Sequence, residues 1–197
     1  SAETEANVKR VMKELHFYPN TVAKNLKKNR SNVIGVVVPD ITNPHFAKLV
    51  LEIEKKLFEY SYLTVICNTN EVKELEQKHV DTLISQRVSG ILIISGCKTY
   101  DLIDIPVIYV DRCPDDYREN QHCIVESDNE GGAYLAAKKL IECGCKNIAL
   151  LYSCHTDRNQ KMRYRGYKRA VEEAGFEEKT ILVDSISSPI ATEAVKK

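Results

Sequence analysis

The run from Val33 to Val38, V-I-G-V-V-V, constrains this chain more than any other stretch. Val33, Ile34, Val36, Val37 and Val38 are β-branched, the side chains that pack best on a pleated surface. Apolar side chains fall on both faces of such a strand, so it needs cover on both sides, as in a parallel sheet flanked by helices. The turn residues Pro39-Asp40 and Asn43-Pro44 stop the ladder, and Phe46, Leu49, Val50, Ile53 and Leu57 follow at helical spacing. A strand-turn-helix order of this kind puts the turn at the carboxyl edge of the sheet, where open α/β folds bind ligands.

Beyond this unit the pattern keeps alternating. Strands are expected at Tyr62 to Cys67, Gly90 to Ile94, Pro106 to Val110 and Cys123 to Glu126, with helices from Pro44 to Tyr60 and Glu71 to Arg87 and at most one turn at Tyr100 to Ile103. Crossovers of this length give parallel strands with right-handed connections, a doubly wound sheet. A second unit opens at Asp128-Asn129-Glu130-Gly131-Gly132, where Asp128 can cap a helix running to Glu142 with Ala133, Ala136, Ala137, Leu140 and Ile141 inward. A strand at Asn147 to Tyr152, a helix at Met162 to Ala174, a strand at Ile181 to Val183 and a helix start at Ser188-Pro189 follow. A sheet of two or three strands is too small to close a core, so this second unit is expected to be incomplete.

The first thirty residues are of another kind. Ala2 to His16 reads as a helix with Val8, Val11, Met12 and Leu15 on one stripe, broken at Phe17-Tyr18-Pro19. Asn20 then caps a short helical pattern from Thr21 to Lys28, below the length that is stable in isolation. Whole-chain charge is balanced at 28 basic against 28 acidic residues, but Lys9, Arg10, Lys13, Lys24, Lys27, Lys28 and Arg30 outweigh Glu3, Glu5 and Glu14 in this segment. With no apolar run near the ~18 residues of a membrane span and a charged amphipathic start where a secretion signal would be apolar, the cytosol is the expected compartment. The seven cysteines suit reduced, packed thiols.

The segments S-A-E-T-E-A-N-V-K-R-V-M-K-E-L, Y-P-N-T-V-A-K-N-L, I-G-V-V-V-P-D-I-T-N-P-H-F, R-V-S-G-I-L-I-I-S, I-P-V-I-Y-V-D-R, S-D-N-E-G-G-A-Y-L-A-A-K-K-L and R-Y-R-G-Y-K-R-A-V occur in that order. As an ordered set they resemble the lactose-repressor and galactose-repressor family of transcription regulators. The resemblance implies an α/β fold like the periplasmic binding proteins, with doubly wound parallel sheets in two lobes, the second incomplete. A remnant of an all-α helix-turn-helix domain and a hinge helix would precede them. It implies residues 1–31 for the remnant and hinge, 32–126 for the first lobe and 127–197 for the start of the second. In this family the recognition helix precedes the helix matched by Ser1 to His16, and the second lobe runs past the position of Lys197. The implied activity is DNA-binding regulation, most often repression, by a homodimer paired through the first lobe and governed by a small effector such as a sugar. No cofactor, metal or catalytic residue is expected.

The hinge stretch has a physical reason to meet DNA. Lys24 and Lys27 would contact phosphates while Leu26 wedges between base steps in the minor groove, with Asn20, Thr21, Val22 and Ala23 forming the same helix. The alternative is an amphipathic linker helix with solvated lysines. For the effector, the carboxyl ends of the strands offer Asp40, Asn43 and Phe46, then Ser95, then Asp111 and Arg112, then Asp128 and Arg163. An aromatic face suits a sugar ring or base, the carboxylates accept from hydroxyls, and Arg163 donates a fork of bonds. In the resembling family, positions matching Phe46, Asp111 and Arg163 line the pocket. The structural alternatives are that Phe46 is a core residue, Asp128 only an N-cap, and Asp111 with Arg112 a turn. Neither G-x-G-x-x-G nor G-x-x-x-x-G-K-[ST] is present, and no cysteine or histidine pair has zinc-finger spacing. A solute receptor without DNA binding is the competing class, disfavoured by the basic segment ahead of Val33; an α/β enzyme is weaker still.

Overall fold

The structure is a computed structural model that describes residues 2–17, 31–101, 104–114, 116–117, 122–153, 158–183 and 192–193. Helix α1 (Ala2–Glu14) comes first. The expected hinge helix, with Asn20, Thr21, Val22, Ala23, Lys24, Leu26 and Lys27, lies outside the described residues, as does most of the expected last helix. The first lobe contains β1 (Val33–Val38), α2 (Pro44–Glu59), β2 (Leu63–Asn68), α3 (Lys73–Ser85), β3 (Gly90–Ile93), β4 (Val107–Val110) and β5 (Cys123–Val125). The second contains α4 (Asn129–Glu142), β6 (Leu150–Ser153), α5 (Arg158–Glu173) and β7 (Thr180–Val183).

The five first-lobe strands are all parallel in the order β2-β1-β3-β4-β5. Their order reverses beside β1, so a crevice opens at the carboxyl end of β1 and β3, the switch point of a doubly wound sheet. Alternation along β1 divides the core in two. Val36 and Val38 face Phe46 and Val50 of α2 on one side, while Val37 faces Val80 and Leu83 of α3 on the other. Asn43 caps α2 through its side chain on the His45 N–H, with Pro44 at the first helical position.

Several boundaries differ from the sequence reading. Helix α5 starts at Arg158, four residues before the expected Met162, because Arg158-Asn159-Gln160-Lys161 are polar and carry no apolar periodicity to reveal them. Residues 147–149 precede β6 without strand pairing.

In the second lobe β6 and β7 pair in parallel, and α4 packs on α5 around Ala137, Ile148, Tyr167, Ala170 and Val171. The Tyr167 hydroxyl accepts the Lys179 N–H at 2.9 Å and lies within hydrogen-bond distance of the Ile148 and Lys179 carbonyls, tying α5 to both strand entrances. Gly166 makes the close helix approach possible. A Cβ there would overlap the Glu130 carbonyl and stand 2.9 Å from the Tyr134 nitrogen, backbone atoms that no side-chain rotation can move. Gly166→Ala is therefore expected to cost ~1–3 kcal/mol, read as a lower urea midpoint at unchanged slope. Gly132→Ala, on the same helix pair but with nothing within 4 Å of its added methyl, is expected to be neutral or to stabilise by about 0.5–1 kcal/mol in the same titration.

Candidate functional site

Loops leaving β3 and β4 meet the first turn of α5 at an open hollow of about 70 Å³ lined by Ser95, Gly96, Arg112, Cys113, Arg158 and Asn159. Residues of both lobes thus share one wall. The join is held by polar contacts. Asn159 Nδ2 donates to the Asp111 carbonyl at 2.8 Å, and Arg158 Nη2 reaches Glu126 Oε1 at 3.2 Å.

Backbone strain sits at this edge. Asp111 has φ +67°, and the Arg112 N–H closes back on the Val110 carbonyl at 2.8 Å, a γ-turn that a non-glycine residue adopts only at a cost of order 1–3 kcal/mol. The turn is held by the Asp111 N–H on Val125 at 2.8 Å and by Asn159 on the carbonyl side. Arg112 leaves the turn with its guanidinium 5.0 Å over the Phe46 ring and Nη1 3.0 Å from Glu71 Oε1, so cation-π stacking and an ion pair orient it.

Two acceptors stand out. Asn159, only 5% exposed, leaves Oδ1 without a partner among the described residues, and so does Glu126 at Oε2. The Asn159 orientation is fixed because its amide nitrogen is committed to a carbonyl. Arg112 and Arg158 bring guanidinium donors to the hollow and Asn159 an amide, a polar lining that matches a ligand bearing hydroxyls.

Of the sequence candidates, Ser95 lines the hollow but donates its hydroxyl to buried Glu76. Phe46 belongs to the α2 core, with Arg112 over its ring. Asp111 contributes its carbonyl to the lobe contact, and its carboxylate lies 3.4 Å from His45 Nε2. Asp40 accepts from the Thr42 hydroxyl and N–H, which hold its carboxyl below the usual range. Asn43 and Asp128 cap α2 and α4, Asp128 on the Gly131 N–H at 2.8 Å. Arg163 is drawn to the second lobe's entrance by Nε donating to Asn129 Oδ1 at 2.7 Å. Sequence reasoning passed over Gly96, Cys113, Arg158, Asn159 and Glu76. The signal for Glu76 was present: it falls with Val80 and Leu83 at i, i+4, i+7, an acid on the apolar stripe of its helix.

A two-lobed α/β domain with its polar hollow where the lobes join is a ligand-binding domain of the periplasmic-binding-protein class. Residues 31–197 match the family of periplasmic binding proteins and sugar binding domain of the LacI family, and the chain belongs to it. It is 35% identical over 176 residues to the ribose operon repressor of Halalkalibacterium halodurans, covering 88% of this chain and 52% of that protein. To the PurR repressor of Pasteurella multocida it is 34% identical over 184 residues, 89% of this chain and 54% of that one. Among solved structures, a periplasmic binding protein/LacI transcriptional regulator from Alkaliphilus metalliredigens, complexed with D-xylulofuranose, superposes with a TM-score of 0.70 at 28% identity, covering 83% of this chain and 60% of that one. The chain spans about half the length of the curated relatives it matches.

Thiol chemistry gives a direct check on the site's packing. Burial and the neighbouring Glu76 push the Cys97 thiol up to about 12, and burial raises Cys67 as well, whereas Cys123, Cys143 and Cys145 are exposed. At pH 8 the Cys97 thiolate fraction is on the order of one in ten thousand. Native-state alkylation followed by mass spectrometry is expected to label Cys123, Cys143 and Cys145 first and Cys97 and Cys67 only after denaturation.

Proposed function

We propose that this chain is the effector-responsive core of a DNA-binding transcriptional regulator, a cytoplasmic homodimer whose operator affinity changes when a sugar or related metabolite binds between the lobes. The observation that carries the reading is the hollow where the lobes join, lined by Ser95, Arg112, Arg158 and Asn159 from both lobes. Curated relatives named as operon repressors and PurR support the regulatory half.

In this reading Ser95 lines the ligand's hollow, Asp111 and Arg163 border it, and Asp40, Asn43, Phe46 and Asp128 shape the strand-end rim through their turn, cap and core contacts, while Asn20, Thr21, Val22, Ala23, Lys24, Leu26 and Lys27, led by Leu26, meet the operator's minor groove. Effector-driven lobe closure alters the spacing of two hinge segments, and the free energy of that coupling sets the change in DNA affinity. Dimerisation uses α2 and β2, where Leu51, Phe58, Tyr60, Leu63 and Ile66 expose apolar surface on one lobe.

Operator selection from random DNA with the full-length protein tests the regulatory half. A palindromic site is expected, lost for Leu26→Ala, and released or tightened by one member of a panel of ribose, sucrose, fructose 1-phosphate and adenine. Sugar binding by a dimer with no sequence-selective DNA binding would replace this reading with a solute receptor. For the pocket itself, Asn159→Ala is expected to weaken the bound panel member by ~10-fold or more in calorimetric titration, the cost of removing a buried acceptor from a hydroxyl. Unchanged affinity would move the ligand elsewhere.

A further inference from the structure

Glu76 is fully buried in the first turns of α3, among Val80, Leu83 and the β-sheet core, and takes no part in the lobe contact described above. A carboxylate in such a place is costly unless several donors satisfy it. Among the described residues its donors come from one loop. Oε2 accepts the Ser95 hydroxyl and, at 3.4 Å, the Cys97 N–H, while Oε1 accepts the Tyr100 hydroxyl at 3.0 Å. Tyr100 is held a second time, its N–H donating to the Tyr109 hydroxyl at 2.6 Å.

What this loop does is support the hollow. Ser95 and Gly96 line it, and Gly96, at φ +63°, lies so close to Arg112 that an added Cβ would stand 3.1 Å from both the Arg112 Cβ and its carbonyl oxygen. Left-handed backbone at that position lets the loop run flat against the base of the arginine. A shift of the loop by a few tenths of an ångström is therefore transmitted to Arg112, whose guanidinium is in turn stacked on Phe46. Packing alone does not call for an acid here, since an aliphatic side chain of similar length would fill the same space without desolvating a charge.

Resting on the reading of the hollow as the effector site, we propose that Glu76 is the positioning residue of that site: it gathers residues 95–100 and so sets the wall against which Arg112 presents its donors. Glu76 does not touch the ligand. Glu76→Gln keeps the shape but turns an amide nitrogen toward donors; the Ser95 hydroxyl can rotate to accept it, whereas the Cys97 N–H cannot.

The test uses the full-length protein and three measurements: calorimetric binding of D-ribose, sucrose, fructose 1-phosphate and adenine; operator affinity without effector; and hydrogen exchange resolved to residues 95–100. Glu76→Gln is expected to weaken the bound compound ~10-fold and to speed exchange in the loop by a similar factor, with the amides of β1 and β3 and the effector-free operator affinity unchanged. Tyr100→Phe, which removes one donor and keeps the ring, is expected to move the same two readouts in the same direction by about threefold, and it stands in should Glu76→Gln not fold. If the wild type binds a panel member and both variants bind it equally well, Glu76 is only a core residue and the proposal is overturned while the effector reading stands. Loss of operator affinity and of β1 and β3 protection in parallel with ligand affinity would also overturn it, since that is general destabilisation. A wild type that binds no panel member overturns the effector reading and this proposal with it.

Discussion

The burial of β1 on both faces is the constraint from which the rest follows. Val36, Val37 and Val38 are wholly inaccessible to solvent, and consecutive side chains on a strand point to opposite faces. Neither α2 nor α3 alone can cover them. A helix on each side is obligatory, each reached by a crossover, and the two crossovers must leave the carboxyl end of the sheet on opposite sides of it. The crevice at that end is a consequence of covering three valines, before any ligand enters the argument.

What fills the crevice is decided by strain and its compensation. Asp111 holds a left-handed backbone that costs of the same order as the hydrogen bonds fixing it, from its own N–H to Val125 and from Asn159 to its carbonyl. The second of these bonds comes from the other lobe. Lobe contact and turn geometry are therefore one equilibrium: separating α5 from the β4 loop removes part of what holds the γ-turn, and the Arg112 side chain is launched from that turn. An element with two arrangements, biased by contacts on either side of a cleft, is the physical requirement for coupling a ligand to a distant surface.

Much of the fold was legible because its signals are local. The β-branched run, the Asn43-Pro44 cap and the i, i+3, i+4 stripe of α2 each specify an element without reference to anything remote. The hollow was less legible for the opposite reason. Asp40, Asn43 and Asp128 were visible as polar residues at strand ends, yet their side chains make local capping and turn bonds, and a sequence pattern does not separate a carboxylate that caps from one that receives a ligand. Arg158 and Asn159 escaped notice because a polar first turn has no apolar period. Glu76 was visible as an acid on an apolar stripe, but its meaning lies in Ser95, Cys97 and Tyr100, which only the β3 register brings beside it.

Under the proposed effector reading, the charges around the hollow argue for a particular kind of ligand. Arg112 and Arg158 each stand against a glutamate, Glu71 and Glu126, so neither presents an uncompensated positive charge. A pocket selecting an anion by charge would leave its guanidinium groups unpaired, because a paired arginine returns much of its Coulomb energy to the partner already present. Here the pairing instead orients the forks as hydrogen-bond donors, beside the buried amide of Asn159. Such an arrangement rewards a ligand that gives and takes hydrogen bonds at several fixed points and penalises one that lacks a hydroxyl at any of them, since each omission strands a buried polar group. In the proposed reading, discrimination then rests on the placement of the Arg112 fork, which the turn at Asp111 and the loop seated on Glu76 would set.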